Sequence, residues 1–298
     1  MLNEAPSNVA VRSGFGASSW LGSNGFVLAE GSGSLALTQT RLKAVFPLTC
    51  TPPWALHADL SGSREEQRAM LSQLATLAKG FCVLDLGPRA FDCLEAPRGW
   101  FDVLRHTRQI RLLEGQDVPV PKNRLKQERR FLREGGDVHV SDLDPMAWQA
   151  VAELHQVARE RKGLSSHAHN LKPLLARLAP ERWTFAVVAV DRQGQTVASG
   201  GFVLLEDGTC VYAFGGQRRS AESGRASVAM LLAAMREATQ KGCTRFDFGG
   251  SQDDGVDQFY AEFGADVVPM RRWVKAPRWF AWAFPRMWKV WTRPTRHR

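Results

Sequence analysis

The chain has 298 residues, of which 44% are hydrophobic and 23% charged, and this composition excludes collagen-like, low-complexity and disordered proteins. It contains 39 lysine and arginine residues against 30 aspartate and glutamate residues. Nine of the basic residues and no acidic residue lie within 267–298. The excess of positive charge therefore belongs to the C-terminal segment, and the rest of the chain is balanced.

Neither a transmembrane helix nor an export signal is predicted. No apolar run reaches the roughly 18 residues that a spanning helix needs, and residues 1–8 lack the basic and apolar regions of a secretory signal. The five cysteines are odd in number and form no Cys-x-x-Cys motif, which is typical of reduced, buried thiols in a cytosolic protein. His167 and His169 lack cysteine or carboxylate neighbours, so we expect a solvated loop and no metal there.

Up to residue 118 the sequence predicts a small α/β unit. Ser63 and Glu66 have the spacing of a capping box and predict the start of a helix that extends to residue 79. Short apolar runs between glycine, serine and proline predict strands over residues 25–30, 34–39, 42–48, 56–60, 81–86 and 107–113.

A linker at 116–121 precedes a longer series of predicted elements. The turns at 191–194 and 207–208 join three consecutive strands as antiparallel hairpins. Helices are predicted over 122–134, 144–161, 171–178, 225–241 and 256–263, and strands over 138–140, 183–191, 195–206, 209–215, 244–248 and 265–274. After the first helix, the order is strand, helix, helix, three antiparallel strands, loop, helix, strand, helix, strand.

Three passages add motifs to this order. The first is the basic helix that ends in Gly135-Gly136-Asp137-Val138, and the second is Tyr212-Ala213-Phe214-Gly215-Gly216. The third is Phe246-Asp247-Phe248-Gly249-Gly250-Ser251, followed by Phe259-Tyr260-Ala261-Glu262-Phe263-Gly264. Over residues 107–275 the order and the motifs together resemble the GNAT acyltransferases. More specifically, they resemble the FemAB-like branch, whose members carry two GNAT-like units in tandem.

The resemblance implies an α+β fold with two tandem GNAT-like units, each a mixed, mostly antiparallel sheet flanked by helices. Residues 1–118 would form a degenerate first unit, 119–275 the acyltransferase unit, and 276–298 a basic, tryptophan-rich tail. The implied chemistry is attack of an amine on an activated acyl group. It needs a deprotonated amine, donors for the oxyanion and an acid for the leaving group.

The resemblance assigns the phosphates of an acyl-CoA donor to the loop 218–226, where backbone N–H groups open the next helix. The GNAT pattern is Gln/Arg-x-x-Gly-x-Gly/Ala, and this chain has Ala221-x-x-Gly224-x-Ala226, without the leading residue. The same stretch, taken alone, is an ordinary loop that leads into a helix. The candidate donor-binding residues are Arg218, Arg219, Ser223, Gly224, Arg225 and Ala226.

Tyr260 distinguishes two donors. FemAB-like proteins usually have lysine at this position, and that lysine is associated with aminoacyl transfer from tRNA. The present stretch is instead similar to Phe-Tyr-Glu-Lys-x-Gly-Phe of acetyl-CoA-dependent GNAT enzymes, whose tyrosine can protonate the departing thiolate. We therefore expect an acyl-CoA donor with Tyr260 as general acid, against the alternative of a tyrosine half-buried by packing.

Other polar residues of the motifs are further candidates. Tyr212 and Asp247 are predicted to be catalytic, although Tyr212 could face the core and Asp247 could pair with an arginine. Ser251, Asp253 and Asp254 follow a predicted strand, where α/β sheets commonly bind ligands. They are predicted to bind substrate, unless the aspartates only cap the following helix.

Two basic segments leave alternatives open. Helix 122–133 has six basic residues, which are consistent with a solvated face or with contact to a phosphorylated or nucleic-acid substrate. Segment 271–298 combines basic residues with five tryptophans, which suits peripheral contact with an anionic membrane. RNA contact and packing on the first domain are the alternatives, and prolines exclude one long helix. The tryptophans are Trp273, Trp279, Trp282, Trp288 and Trp291.

The sequence thus predicts a cytosolic N-acyltransferase, peripheral at the inner membrane face if the tail binds lipid. It would move an acyl group from acyl-CoA, used as co-substrate without a metal, to a small-molecule or lipid-linked amine on a cell-envelope or polysaccharide-related acceptor. One alternative is an aminoacyl-tRNA-dependent FemAB-like transferase. The other is a non-catalytic, degenerate pair of units that binds lipid or RNA. The acyl group, the amine and the oligomeric state are not predicted.

Overall fold

A computed structural model describes residues 13–42, 45–78, 80–88, 95–163, 168–220, 222–250 and 253–293. Its residues fall into two compact units. The first takes the described parts of Met1–Thr107, Gly250–Asp254 and Val267–Arg298, and the second takes those of Arg108–Gly249 and Gly255–Asp266. These units interleave along the chain, whereas the predicted division at residues 118 and 275 is sequential and stays a prediction.

The first unit is built on strands β1 to β4 and most of β11. Strands β1, β2 and β3 pair antiparallel in that order, β3 pairs parallel with β4, and β4 pairs antiparallel with β11. Helix α2 connects β3 to β4, as a parallel pair requires. The elements are α1 (Ser18–Leu21), β1 (Gly25–Glu30), β2 (Gly33–Leu42), β3 (Phe46–Cys50), α2 (Arg64–Leu77), β4 (Phe81–Leu86), β11 (Asp266–Lys275), α8 (Arg278–Ala283) and α9 (Pro285–Thr292).

The start of α2 confirms the capping box. The Glu66 N–H donates to Ser63 Oγ at 3.3 Å, and the Ser63 N–H donates to Glu66 Oε2 at 2.7 Å. The N–H groups of Ser63 and Glu66 thus both have hydrogen-bond partners at the start of the helix. Met70, Leu71 and Leu74 of α2 are buried, so this apolar face of the helix packs on the core.

Two predicted strands of this unit are wrong. Residues 42–48 are not one strand, because Leu42 ends β2 and its register partner Phe46 begins β3. Within this apolar run Val45 is exposed. Residues 56–60 form no strand, because they pair at single positions with two different strands, Ala58 with Leu86 and Leu60 with Leu35.

The second unit has the predicted order of elements. Strands β6, β7, β8 and β9 pair antiparallel in succession, β9 pairs parallel with β10, and β10 pairs antiparallel with the end of β5. The elements are β5 (Phe101–Arg111, shared with the first unit), α3 (Lys122–Arg133), β6 (Asp137–Ser141), α4 (Pro145–Arg161), α5 (Ala168–Leu178), β7 (Thr184–Val190), β8 (Thr196–Leu204), β9 (Thr209–Gln217), α6 (Ser223–Gln240), β10 (Arg245–Asp247) and α7 (Asp254–Ala261).

Helices cover both faces of this second sheet. On one face α6 packs in a core with the rings of Phe185, Phe202 and Phe246. On the other face lies α4, whose Ala150 carbonyl accepts a hydrogen bond from Ser199 Oγ of β8 at 3.1 Å. Because side chains alternate along a strand, each position of β7 to β10 belongs to one of these two faces.

Candidate active site

Strands β9 and β10 stay paired for only three residues. Their register ends at Asp247 opposite Val211, whereas β9 continues along β8 to Gln217. Gly249 and Gly250 follow with φ of 80° and 67°, a conformation that L side chains rarely adopt. A Cβ on Gly249 would also collide with the Tyr212 carbonyl. The chain thus turns at Gly249, and the second half of β9 continues beyond its β10 partner.

Tyr212 lies where this separation begins. Gly201 and Phe202 of β8 pair with Phe214 and Tyr212, so Ala213 is an extra residue that bulges β9. The Tyr212 ring stacks on Phe202 with centroids 5.2 Å apart. Its hydroxyl lies over Gly215, where a Cβ would collide with it. The glycine therefore leaves room for the phenol on the face that carries α6.

The Tyr212 phenol is protonated in this setting. Burial raises the pKa of Tyr212 above its usual value, so the group keeps its proton at neutral pH. Its hydroxyl makes no hydrogen bond with any residue that the structure describes. It is consequently available to an oxygen or sulfur atom of a ligand.

Tyr260 adjoins Tyr212, although 48 residues separate them in the sequence. Their ring centroids are 6.5 Å apart and the rings are nearly perpendicular. Tyr260 is buried and stacks on Phe248 at 4.7 Å. The structure therefore brings together two of the three predicted catalytic residues.

A buried ion pair holds the helix that carries Tyr260. Arg108 of β5 donates to both carboxylate oxygens of Asp257, with Nε–Oδ1 at 2.8 Å and Nη2–Oδ2 at 2.7 Å. Arg108 Nη1 also donates to the Ala265 carbonyl at 3.2 Å. Asp257 lies one helical turn before Tyr260, so this bidentate contact fixes α7 against the strand. Neither residue stood out in the sequence.

Asp247 is not part of the tyrosine cluster. Phe246 and Phe248 belong to the core beneath α6, and Asp247 alternates to the other face. Its Oδ2 accepts from Gln109 Nε2 at 2.8 Å and its Oδ1 from the Gly249 N–H at 2.8 Å. These bonds stabilise the turn that ends β10. A catalytic role for Asp247 stays a prediction that this geometry does not support.

The predicted donor loop leads into α6 with its main chain open. Glu222 precedes the helix and its side chain makes no capping hydrogen bond. No atom lies within 4 Å of a Cβ built on Gly224. The first N–H groups of a helix attract anions when no side chain caps them. Gly224 therefore leaves room for an anion at the helix start, and the phosphate site stays a prediction.

The other predicted residues of the donor loop differ in their availability. Ser223 Oγ donates to the Ser220 carbonyl at 3.0 Å, and Ala226 is fully buried in the core. Arg225 Nη2 pairs with Glu134 Oε2 at 2.5 Å. Arg218 donates through Nε to the Thr196 carbonyl at 3.1 Å, and Arg219 is exposed. The ion pair to Glu134 compensates the charge of Arg225, which the sequence did not reveal.

The structure describes two of the three residues that were predicted to bind substrate. Ser251 lies outside the described residues, as does His167. Asp253 and Asp254 are exposed, belong to the first unit, and stand at the start of α7. Their role in substrate binding stays a prediction.

His155 is a neighbour of the site that the sequence analysis missed. Its Nδ1 lies 3.2 Å from both the nitrogen and the carbonyl oxygen of Gly215, on the opposite face from the Tyr212 hydroxyl. Burial lowers the pKa of His155 to about 4, so the imidazole is neutral at pH 7. The buried apolar residues of α4 end at Leu154, and the position of His155 directly after them was the available signal.

A separate cavity of about 510 Å³ lies between α4 and α5. Its lining is mainly apolar and includes Trp148, Leu175 and Lys172. The Trp148 indole N–H is buried without a hydrogen-bond partner. The cavity shares no lining residue with the tyrosine pair, so it is not the space where the two phenols meet.

Thiol and metal chemistry find no support among the described residues. Cys50, Cys82, Cys210 and Cys243 are free, and Cys93 lies outside the description. Burial raises the pKa of Cys50 to about 11 and that of Cys82 to about 12, so their thiols stay protonated and unreactive. No group of three or more metal-binding side chains occurs in the described part of the chain.

Comparisons with known proteins agree with this architecture. Residues 121–261 match the family described as an acetyltransferase (GNAT) domain. The crystal structure of FemX is 12% identical, with 86% of this chain and 91% of that chain covered and a TM-score of 0.64. Among curated proteins, none matches the chain in sequence.

Two further structures share the fold. L-PGS from Bacillus licheniformis is 12% identical over 92% of this chain and 90% of that chain, with a TM-score of 0.59. The C-terminal domain of a putative lysylphosphatidylglycerol synthetase from Agrobacterium fabrum is 13% identical over 92% and 91%, with a TM-score of 0.57. The match of residues 121–261 to a GNAT acetyltransferase domain thus supports an acyltransferase, and the chain has the FemAB-like fold of tandem GNAT-like units.

Proposed function

We propose that the chain transfers an acyl group from acyl-CoA to an amine of a cell-envelope or polysaccharide-related acceptor. The observation that carries the proposal is the contact between Tyr212 and Tyr260 where β9 and β10 separate. Tyrosine in place of the lysine that is usual in FemAB-like proteins favours a thioester donor. The uncapped start of α6, open at Gly224, offers main-chain donors for its phosphates.

In this proposal the amine nitrogen attacks the thioester carbonyl and forms the amide bond, and the carbon–sulfur bond breaks. Tyr260 gives its phenolic proton to the departing thiolate, and the proton lost by the amine replaces it through solvent. The protonated Tyr212 phenol donates a hydrogen bond to the developing oxyanion. The two phenols thus have different tasks, and only Tyr260 must lose a proton during the reaction.

Calorimetry with acetyl-CoA and longer acyl-CoAs tests the donor, and acetyl-pantetheine serves as the ligand without the pyrophosphate. Gly224→Leu fills the open space at the start of α6, whereas Gly224→Ala adds only a methyl group that meets no atom. We expect the leucine variant to lose more than about tenfold in affinity for acyl-CoA and the alanine variant to bind as the wild type does.

Acetyl-pantetheine binding should be weak and equal in all three proteins, because it lacks the phosphates. No binding of acyl-CoA at millimolar ligand contradicts the proposal. Equal binding of acyl-CoA by the leucine variant contradicts the assignment of the phosphates to α6.

An aminoacyl-tRNA donor is the second candidate, and one observation favours it. Lys122, Lys126, Arg129 and Arg133 are all exposed on α3, and their spacing puts them on one helix face. None of the four forms an ion pair with a described residue. Unpaired cations in a row suit the phosphates of a nucleic acid.

The remaining basic residues of α3 are engaged in the fold. Arg124 is buried with its guanidinium 5.3 Å from the Phe259 ring centroid and 5.0 Å from that of Phe263. Arg130 pairs with Glu134. Hence Lys126→Glu/Arg129→Glu removes charge from the exposed row without disturbing these contacts. The tRNA donor is favoured if the wild type binds tRNA in a salt-sensitive way, this variant loses that binding, and acyl-CoA does not bind. The non-catalytic alternative is favoured if the protein binds RNA but shows no turnover.

A further inference from the structure

The inner face of the C-terminal helices packs on the first unit. Phe280 of α8 is fully buried and lies 4.7 Å from the Phe81 ring centroid. Trp291 of α9 stacks on Phe280 at 4.9 Å, and Trp288 meets the edge of Phe101 at 4.6 Å. Together with the buried Trp273, these contacts use three of the five tail tryptophans for folding. Packing on the first unit thus explains the inner face only.

The outer face combines an exposed indole with aliphatic side chains. Trp282 of α8 is 87% exposed and Val290 of α9 is 59% exposed. Trp279 is 45% exposed, and it contacts Phe46, whose neighbour Val45 is 68% exposed. A concentration of exposed large apolar side chains on one surface is typical of an interaction site. Trp279 also packs on Phe46 and Phe81, whereas the exposure of Trp282 and Val290 has no explanation in the packing of the unit.

The basic residues of the C-terminal segment also divide into a group that is engaged in the fold and a group that is exposed. Arg272 binds Asp85, Arg271 pairs with Asp102, and Lys275 Nζ donates to the Ala78 carbonyl at 2.7 Å. Arg278 of α8, Arg286 and Lys289 of α9, and Arg293, which follows α9, are exposed and form no ion pair with a described residue. Arg286 and Lys289 share one face of α9 with Val290. The outer face is thus cationic, with no acidic residue in 267–298.

We propose that this outer face of α8 and α9 binds the surface of an anionic membrane. Trp282 and Val290 enter the interface between headgroups and acyl chains, while the four cations contact lipid phosphates. Among the described helices none could span a membrane, and α8 and α9 have only six and eight residues. The proposed contact is therefore peripheral. The exposed aliphatic Val290, which shares a helix face with Arg286 and Lys289, favours lipid over RNA, because nucleic-acid binding relies on charge and aromatic stacking.

Co-sedimentation of the full chain with vesicles tests this proposal. Vesicles of phosphatidylglycerol and phosphatidylcholine should bind the protein, and vesicles of phosphatidylcholine alone should not. Arg286→Glu/Lys289→Glu should weaken binding by more than about twentyfold, at roughly fivefold for each cation lost. Trp282→Ser, at an exposed position, should weaken it at unchanged charge.

The matched control is Arg64→Glu/Arg68→Glu on α2, which changes the net charge by the same amount at two exposed arginines that form no ion pair with a described residue. It should retain vesicle binding, and all variants should keep the melting temperature and the acyl-CoA affinity of the wild type. The proposal is overturned if the wild type ignores anionic vesicles or if the α2 control loses as much binding as the α9 variant. It is also overturned if the α9 variant loses binding to single-stranded RNA and keeps binding to vesicles.

Discussion

Tyr260 and Tyr212 are two phenols in contact with different proposed tasks, and single substitutions can separate them. Tyr260→Phe keeps the stacking on Phe248 and removes only the acid. We expect kcat to fall by about 10²- to 10⁴-fold, as for loss of a general acid, with little change in KM or melting temperature. Steady-state kinetics with an acyl-CoA and an amine acceptor measure this loss.

Tyr212→Phe is the companion variant. It removes a hydrogen bond to the oxyanion, so it should lower kcat without changing the pH dependence that Tyr260 sets. A thiol leaving group of lower pKa should restore turnover in Tyr260→Phe but not in Tyr212→Phe. Unchanged turnover in Tyr260→Phe would contradict its role as an acid.

At this residue scale, the sequence named both tyrosines because they stand in recognisable motifs. It could not show that they meet, since their contact depends on the end of β10 and the bulge at Ala213. The engagement of Arg225 by Glu134 was equally hidden, because 91 residues separate the two partners. Motifs identify residue types, whereas long-range pairing decides which of them remain available.

At the scale of elements, α7 depends on the Arg108–Asp257 pair. Asp257→Ala leaves the Arg108 guanidinium, whose side chain is only 9% exposed, without its partner. A buried charge that loses its partner costs about 3–5 kcal/mol, so we expect the free energy of unfolding in urea to fall by about that amount. The exposed pair Arg130–Glu134 is the matched control, and Arg130→Ala should cost far less stability because solvent screens an exposed ion pair.

The double variant Arg108→Met/Asp257→Leu replaces both charges with apolar groups of similar size. It should recover much of the lost stability, because no buried charge remains unpaired. If Asp257→Ala and Arg130→Ala cost the same, the pair does not hold α7 as described.

Most elements of the second unit were predictable because the hydrophobic periodicity of the sequence and its turn motifs indicate the same boundaries there. The Asp207-Gly208 turn and the strands on either side of it are an example. The start of β5 at Phe101 was missed, since the strand buries His106, Thr107 and Arg108 and exposes Leu104. A strand with buried polar residues and exposed apolar ones contradicts the pattern on which such predictions rest.

At the scale of the whole molecule, His155 should make stability depend on pH. Its pKa is about 4 in the folded chain and about 6.5 when unfolded. Between these values the unfolded chain binds a proton that the folded chain does not, so stability is lost as the pH falls from 6.5 towards 4. From pH 7 to pH 5 the contribution is about 2 kcal/mol.

Urea unfolding of the wild type and His155→Asn at pH 7 and pH 5 measures this contribution. Asparagine can bond either the Gly215 N–H or its carbonyl without titrating, so the variant should lose about 2 kcal/mol less between the two pH values. His139→Asn, at an exposed position, should behave as the wild type does. An identical loss in His155→Asn and in the wild type would contradict the assignment.

The pairing of β4 with β11 affects the order in which the chain can fold during synthesis. The ribosome releases β4 early, but its partner β11 emerges only after every strand of the second unit. The second unit can therefore close while β4 still exposes an unpaired edge, a state that favours aggregation. The later segment that contains β11, with the buried Trp273 and Phe280, covers that edge and fills the remaining core. Nascent chains should accordingly need protection until β11 has been synthesised.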